Sequence, residues 1–177
     1  MTTTTSTTAT QDVPREMKAA AVEKKGAPVA TKTVPVPKPG NGEVLVRVDI
    51  AGVGVWDPAL VSGEFTDRKT PRPHVYGAEG AGTVVAVGKN VSRAKVGDMV
   101  YGYGFGNAKG GFFAEYTALP EENVAPLPPG LTSESAGALA VSGLTALKGL
   151  ELLDFDDGEP ILIIGASGGV GHIAIQL

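Results

Sequence analysis

The chain has 177 residues, 42% of them hydrophobic, and a net charge of −4 from 15 basic and 19 acidic side chains. That is enough for one substantial core and part of a second, and basic residues this scattered do not form the patch a nucleic-acid backbone would require. The lack of cysteine excludes a disulfide framework, a thiolate nucleophile and a cysteine zinc site, and the two histidines, His74 and His172, do not stand in metal-ligand spacing.

Residues 1–16 read as a disordered tail, because their threonine-rich start has little to bury against the entropy of ordering. No apolar run reaches the length of a membrane span, and no secretory or organelle-targeting pattern is read at the start, so a cytoplasmic protein is expected. Met17–Val22 is a short apolar segment ending in a Lys24-Lys25-Gly26 turn, and Pro28–Pro39 suggests an edge strand running into an extended stretch. The clearest strand is Glu43–Ala51, with Val44, Val46, Val48 and Ile50 expected on one buried face and Leu45, Arg47 and Asp49 on the other.

Asp57-Pro58 opens a loop or short helix ending near Gly63, and the polar stretch from Glu64 to Arg72 reads as a surface loop that carries on to His74. Strands are expected at Gly82–Gly88, at Met99–Tyr101 after the Val96-Gly97-Asp98 turn, and at Phe112–Leu119 after a glycine-rich loop. Tyr101, Tyr103, Phe105, Phe112, Phe113 and Tyr116 read as core or loop anchors rather than ring-stacking platforms. Together these segments predict a partly closed β domain over 17–127. Beyond a proline-rich boundary, residues 128–177 change character: Thr132–Ala140 reads as a helix capped by Thr132, Ser142–Leu153 as a second helix, and Ile161–Ile164 as a buried parallel strand.

That apolar run leads into Gly165-Ala166-Ser167-Gly168-Gly169-Val170-Gly171 and then a helix start. Strand, glycine turn and helix come in the order a dinucleotide site requires. Gly168 lets the backbone approach a pyrophosphate, Gly171 lets the helix pack closely, and free amides at the helix start face the phosphates. Ala166 stands where the fingerprint has its first glycine, which demands a negative φ there. The candidate cofactor residues are therefore Ala166, Ser167, Gly168, Gly169, Val170 and Gly171. A purely structural strand–turn–helix is the alternative. The carboxylate expected about twenty residues further on, to hold an adenosine ribose, lies beyond Leu177.

Over most of 17–177 the sequence resembles the medium-chain dehydrogenase/reductase superfamily, in particular its zinc-free quinone oxidoreductase-like branch. The likeness is carried by Met17-Lys18-Ala19, Pro37-Lys38-Pro39-Gly40, Gly42–Val48, Ala51-Gly52-Val53, Gly77–Gly80, Val85–Gly88, Val96-Gly97-Asp98, Gly111–Tyr116, Leu144-Thr145-Ala146 and the turn at 165–171. The resemblance implies an α/β chain: a chaperonin-cofactor-like, alcohol dehydrogenase-like β domain, then the first strand and helix start of a truncated Rossmann domain. Gly54, Val55 and Ala78 stand where zinc-dependent members carry metal ligands, so no metal site is expected.

The resemblance further implies that Thr145 lies on the nicotinamide side, although helix capping or packing would also explain it. Asp57 reads as an active-site-side polar residue or a turn former. Glu79 reads as a substrate-cleft residue or a buried carboxylate bonded to backbone amides or an arginine. Trp56 either narrows the substrate pocket or fills a domain interface. Neither His74, expected in a surface loop, nor His172 is assigned acid–base work, and no catalytic residue is named.

The implied activity is hydride transfer from NADP(H), or NAD(H), to a small quinone, enone or carbonyl substrate, without zinc, in a full-length protein that could be a homodimer. The alternative is a catalytically inactive fragment or standalone N-terminal binding domain. The isolated chain is expected to be inactive.

Overall fold

A computed structural model describes residues 12–24, 26–63, 72–156 and 158–177. The expectations for the tail up to residue 11 and for the polar loop at 64–71 lie outside the described residues.

In chain order the elements are β1 (Glu16–Val22), β2 (Ala30–Pro35), β3 (Glu43–Gly52), α1 (Asp57–Ser62), β4 (His74–Val75), β5 (Glu79–Val87), β6 (Met99–Tyr103) and β7 (Tyr116–Pro120). A 3-10 turn (Glu121–Asn123), β8 (Val124–Pro126), α2 (Ser133–Gly137), α3 (Ala140–Leu153) and α4 (Gly169–Ala174) follow. The strands make two antiparallel sheets, ordered β2-β1-β4 and β7-β3-β5-β6-β8. Neither closes into a barrel. They are stitched through the segment before β7, where the Ala20 amide donates to the Phe113 carbonyl at 2.7 Å and Ala19 bridges Ala114.

β3 lies between β5 and β7, with register shifts at Leu45/Val46 and Val48/Ile50. One face supplies Val44 and Val46 to the main core with Val84, Val100, Phe112, Leu119 and Val124. The other face is not polar throughout, as strict alternation would make it. Leu45 is 2% exposed and packs with Val85 and Ala118 under Val13, Val36 and Tyr116. Because a second layer covers this end of the sheet, burial on both faces replaces the one-faced pattern. Residues before Met17 also take part in the fold: Glu16 is in β1, the Arg15 carbonyl accepts from Val36, and Val13 covers the Leu45 cluster.

α1 starts at Asp57-Pro58 and stops at Gly63, whose φ of +85° provides a left-handed cap. Thr132 caps α2 by accepting from the Ser135 amide at 3.3 Å. α3 has no side-chain cap of its own and ends at Asp154, which takes φ +47°. Two expectations fail. His74 is not in a surface loop but in β4, where it pairs with β1, is 7% exposed and packs edge-on against Tyr76. Ile161–Ile164 is not a strand: it runs through irregular chain into a turn, with Leu162 85% and Ile164 88% exposed. A parallel strand takes its hydrogen bonds from neighbours, and among the described residues no sheet edge pairs with it.

Candidate functional site

Two clusters combine polar chemistry with tight geometry. The first is the glycine turn. Gly165 adopts φ +78°, and the Gly168 amide donates back to its carbonyl at 2.9 Å. Ala166 is not among the positive-φ residues, so the left-handed step falls on Gly165 and alanine is tolerated next to it. A Cβ at Gly171 would lie 2.3 Å from the Gly165 oxygen, which keeps this position open only to glycine as α4 folds against the turn.

Ser167, Gly168 and Gly169 face solvent while Gly171 is buried. α4 has no side-chain cap, and its first amides, Gly169, Val170 and Gly171, precede the first intrahelical partner. The Gly168 carbonyl accepts from the His172 amide at 3.0 Å and pairs with His172 Nδ1 at 2.9 Å, so the exposed His172 braces the turn from the helix that follows it.

Thr145 lies on α3, exposed, with its hydroxyl donating to the Val141 carbonyl at 2.7 Å. The side chain next to the turn is instead Ser142, 7% exposed, whose Oγ is 3.0 Å from where a Cβ on Gly169 would stand. Sequence reasoning missed it, because a small polar residue near the start of a helix carries no pattern that separates packing from contact.

The second cluster surrounds Gly54. A Cβ there would lie 2.1 Å from Trp56 Cε2 and 2.2 Å from Cζ2, so the half-buried indole fills the space a side chain at position 54 would need. Trp56 Nε1 is buried without a hydrogen-bond partner. Asp57, 4% exposed, accepts from the Gly54 amide through Oδ2 at 2.7 Å, while its Oδ1 is buried and unpartnered. Burial raises its carboxyl above the usual range, and the Gly54 and Ala78 amides offset part of that. Asp57 is thus a buried turn former at the first position of α1.

Glu79 is 2% exposed and accepts from the Val141 amide at 2.7 Å, in the manner of a structural carboxylate. Burial raises its carboxyl, the Val141 amide lowers it, and the Asp57 charge raises it further. Neither carboxylate forms an ion pair among the described residues. The cluster does not fit zinc. Gly54 and Ala78 offer no side-chain donor atom, and among the described residues no three His, Cys, Asp or Glu side chains could hold a metal.

The family model described as the alcohol dehydrogenase GroES-like domain matches residues 40–129. The 2-methylene-furan-3-one reductase of Solanum lycopersicum is 38% identical over 173 residues, covering 93% of this chain and 45% of that protein. An alcohol dehydrogenase superfamily protein from Novosphingobium aromaticivorans superposes with a TM-score of 0.82 at 37% identity, over 90% of this chain and 49% of that one. The quinone oxidoreductase from Coxiella burnetii superposes with a TM-score of 0.80 at 28% identity, over 91% and 52%. The chain spans about half the length of the curated relatives it matches. It has a GroES-like β domain followed by the start of a Rossmann-type α/β region, and no helix among the described residues is long and apolar enough to cross a membrane. The chain therefore belongs to the alcohol dehydrogenase GroES-like domain family, in the quinone oxidoreductase-like branch of the medium-chain dehydrogenases/reductases.

Proposed function

We propose that this chain is the front half of an NAD(P)H-dependent oxidoreductase that reduces a quinone, enone or carbonyl compound without zinc. NADPH is the expected donor, and a cytoplasmic setting and a full-length homodimer belong to the same reading. The carrying observation is the glycine turn: exposed at Ser167–Gly169, closed on itself by the Gly168–Gly165 hydrogen bond, and followed by a helix with no side-chain cap. Such a turn suits a pyrophosphate, because uncapped amides favour an anion and no Cβ stands in the way at Gly168 or Gly169.

When bound, a nicotinamide cofactor would supply the hydride. Ala166 through Gly171 would hold its phosphates, with Ser142 against Gly169 and Thr145 one turn further along α3. Thr145 keeps the accepting lone pairs of its hydroxyl, since its proton goes to Val141. The relatives support the acceptor class: among them are a chloroplastic NADPH-dependent alkenal/one oxidoreductase of Arabidopsis thaliana and prostaglandin reductase-3 of Bos taurus.

A second reading, a noncatalytic interaction domain, is favoured by one observation. Leu152, Leu162, Ile164, Ile175 and Leu177 expose apolar surface around the last two helices, as a docking face would. Titrating the isotope-labelled chain with NADPH, with NADH as comparison, tests the first reading. The amide signals of Ser167–Gly171 should move with saturation. If they stay fixed at millimolar nucleotide while a second protein covers the apolar surface, the interaction reading replaces it.

A further inference from the structure

We propose that Glu79 is a positioning residue, a tertiary cap through which the β domain fixes α3 and, through Ser142, the glycine turn. Its weight for catalysis rests on the cofactor reading above; the structural claim does not.

α3 begins without a cap from its own sequence: Leu139 occupies the N-cap position and makes no side-chain hydrogen bond. A helix start left this way has amides that need outside partners. Glu79, 62 residues earlier at the head of β5, accepts from the Val141 amide at 2.7 Å. A carboxylate suits the positive end of a helix, and a charge-assisted hydrogen bond is the stronger kind. Glu79 is 2% exposed and paired with no cation among the described residues, so the hydrogen bond from the Val141 amide is what offsets the burial of its carboxylate.

The next residue, Ser142, is buried and touches the space at Gly169, the first residue of α4. One continuous set of contacts therefore runs from β5 through Glu79, Val141 and Ser142 to the turn. Asp57 stands near enough to Glu79 for its charge to raise the Glu79 carboxyl further.

The test compares wild type, Glu79→Ala and Glu79→Gln by amide hydrogen exchange of the whole chain, without nucleotide. In Glu79→Ala, exchange at Val141 and the first turn of α3 should rise by about tenfold or more, and the Gly169 amide signal should shift. Glu79→Gln keeps an accepting oxygen and should recover part of both effects, while amides of β3 and β7 stay at wild-type rates. Unchanged α3 exchange in Glu79→Ala, or identical behaviour of the two variants, overturns the proposal.

Should Glu79→Ala not fold, a through-hydrogen-bond coupling between the Val141 nitrogen and the Glu79 carboxyl carbon in the wild type decides the matter, and its absence overturns the cap. NADPH titration is a separate arm. If Glu79→Ala loosens α3 but the wild type never binds nucleotide, the cofactor reading fails and the cap stands.

Discussion

Trp56 lies on Gly54 so closely that any side chain at position 54 would meet the indole, with Cε2 at 2.1 Å from a Cβ there. A half-buried ring packed directly on backbone cannot step aside without giving up packing. The pair is therefore one unit, and changes at either residue should be strongly non-additive.

Gly54→Ala is expected to destabilise the chain by about 1–3 kcal/mol, as overpacking does. In a Trp56→Ala background the same substitution should cost far less, because the space is then free. Urea unfolding of the four proteins of this cycle measures the coupling; additive costs would show that the indole moves aside freely.

Gly171→Ala and Gly168→Ala separate two roles within the turn. The first places a Cβ 2.3 Å from the Gly165 oxygen, so α4 should detach from the turn; the second meets only that oxygen, at 3.3 Å, and should leave the fold intact. Hydrogen exchange across α4 should rise in Gly171→Ala alone. Nucleotide affinity should fall in both, if Gly168 faces a phosphate as proposed.

His74 makes stability depend on pH in a definite direction. Burial and the Arg72 charge lower its pKa from 6.5 to about 4, so the native state holds the imidazole neutral where the unfolded chain would protonate it. The contribution of His74 is therefore fully present above pH 6.5 and is lost as the pH falls toward 4. The raised carboxyls of Asp57 and Glu79 act the other way: their contribution is greatest below their ordinary range and declines as the pH rises through their native values. Subtracting the stability of a His74→Gln variant from that of the wild type isolates the histidine. That difference should shrink by up to about 3 kcal/mol on going from pH 7 to pH 4. A pH-independent difference would mean that His74 titrates normally in the folded protein.

Local signals in the sequence placed much of this fold. Asp57-Pro58 and Gly63 mark the two ends of α1, Thr132 marks the start of α2, and the valines of β3 locate the central strand. Each of these works through neighbours a few residues away. What the sequence concealed depends on distant chain. Leu45 is buried because a second layer covers it, and His74 because β4 pairs with β1. Ile161–Ile164 reads as a strand from its composition, yet strand geometry comes from a partner edge rather than from apolar side chains.

The candidate site divides in the same way. Gly165–Gly171 was visible because turn chemistry is local. Glu79 could be reduced to two roles but no further, since its partner Val141 carries no mark of being capped. Ser142 could not be found at all, because its relation to Gly169 exists only once two helices meet.

Val13 gives the first described residues a structural job. It rests on Leu45, Val85 and Ala118 before the first strand has begun. A version of the protein started at Met17, where the sequence alone places the fold, would lose one of the side chains that cover that cluster and leave Val36, Ala86 and Tyr116 to shield it. One started at Asp12 would keep it sealed. The boundary of the domain is thus set by what its second layer must cover, a few residues upstream of where its first hydrogen-bonded ladder starts.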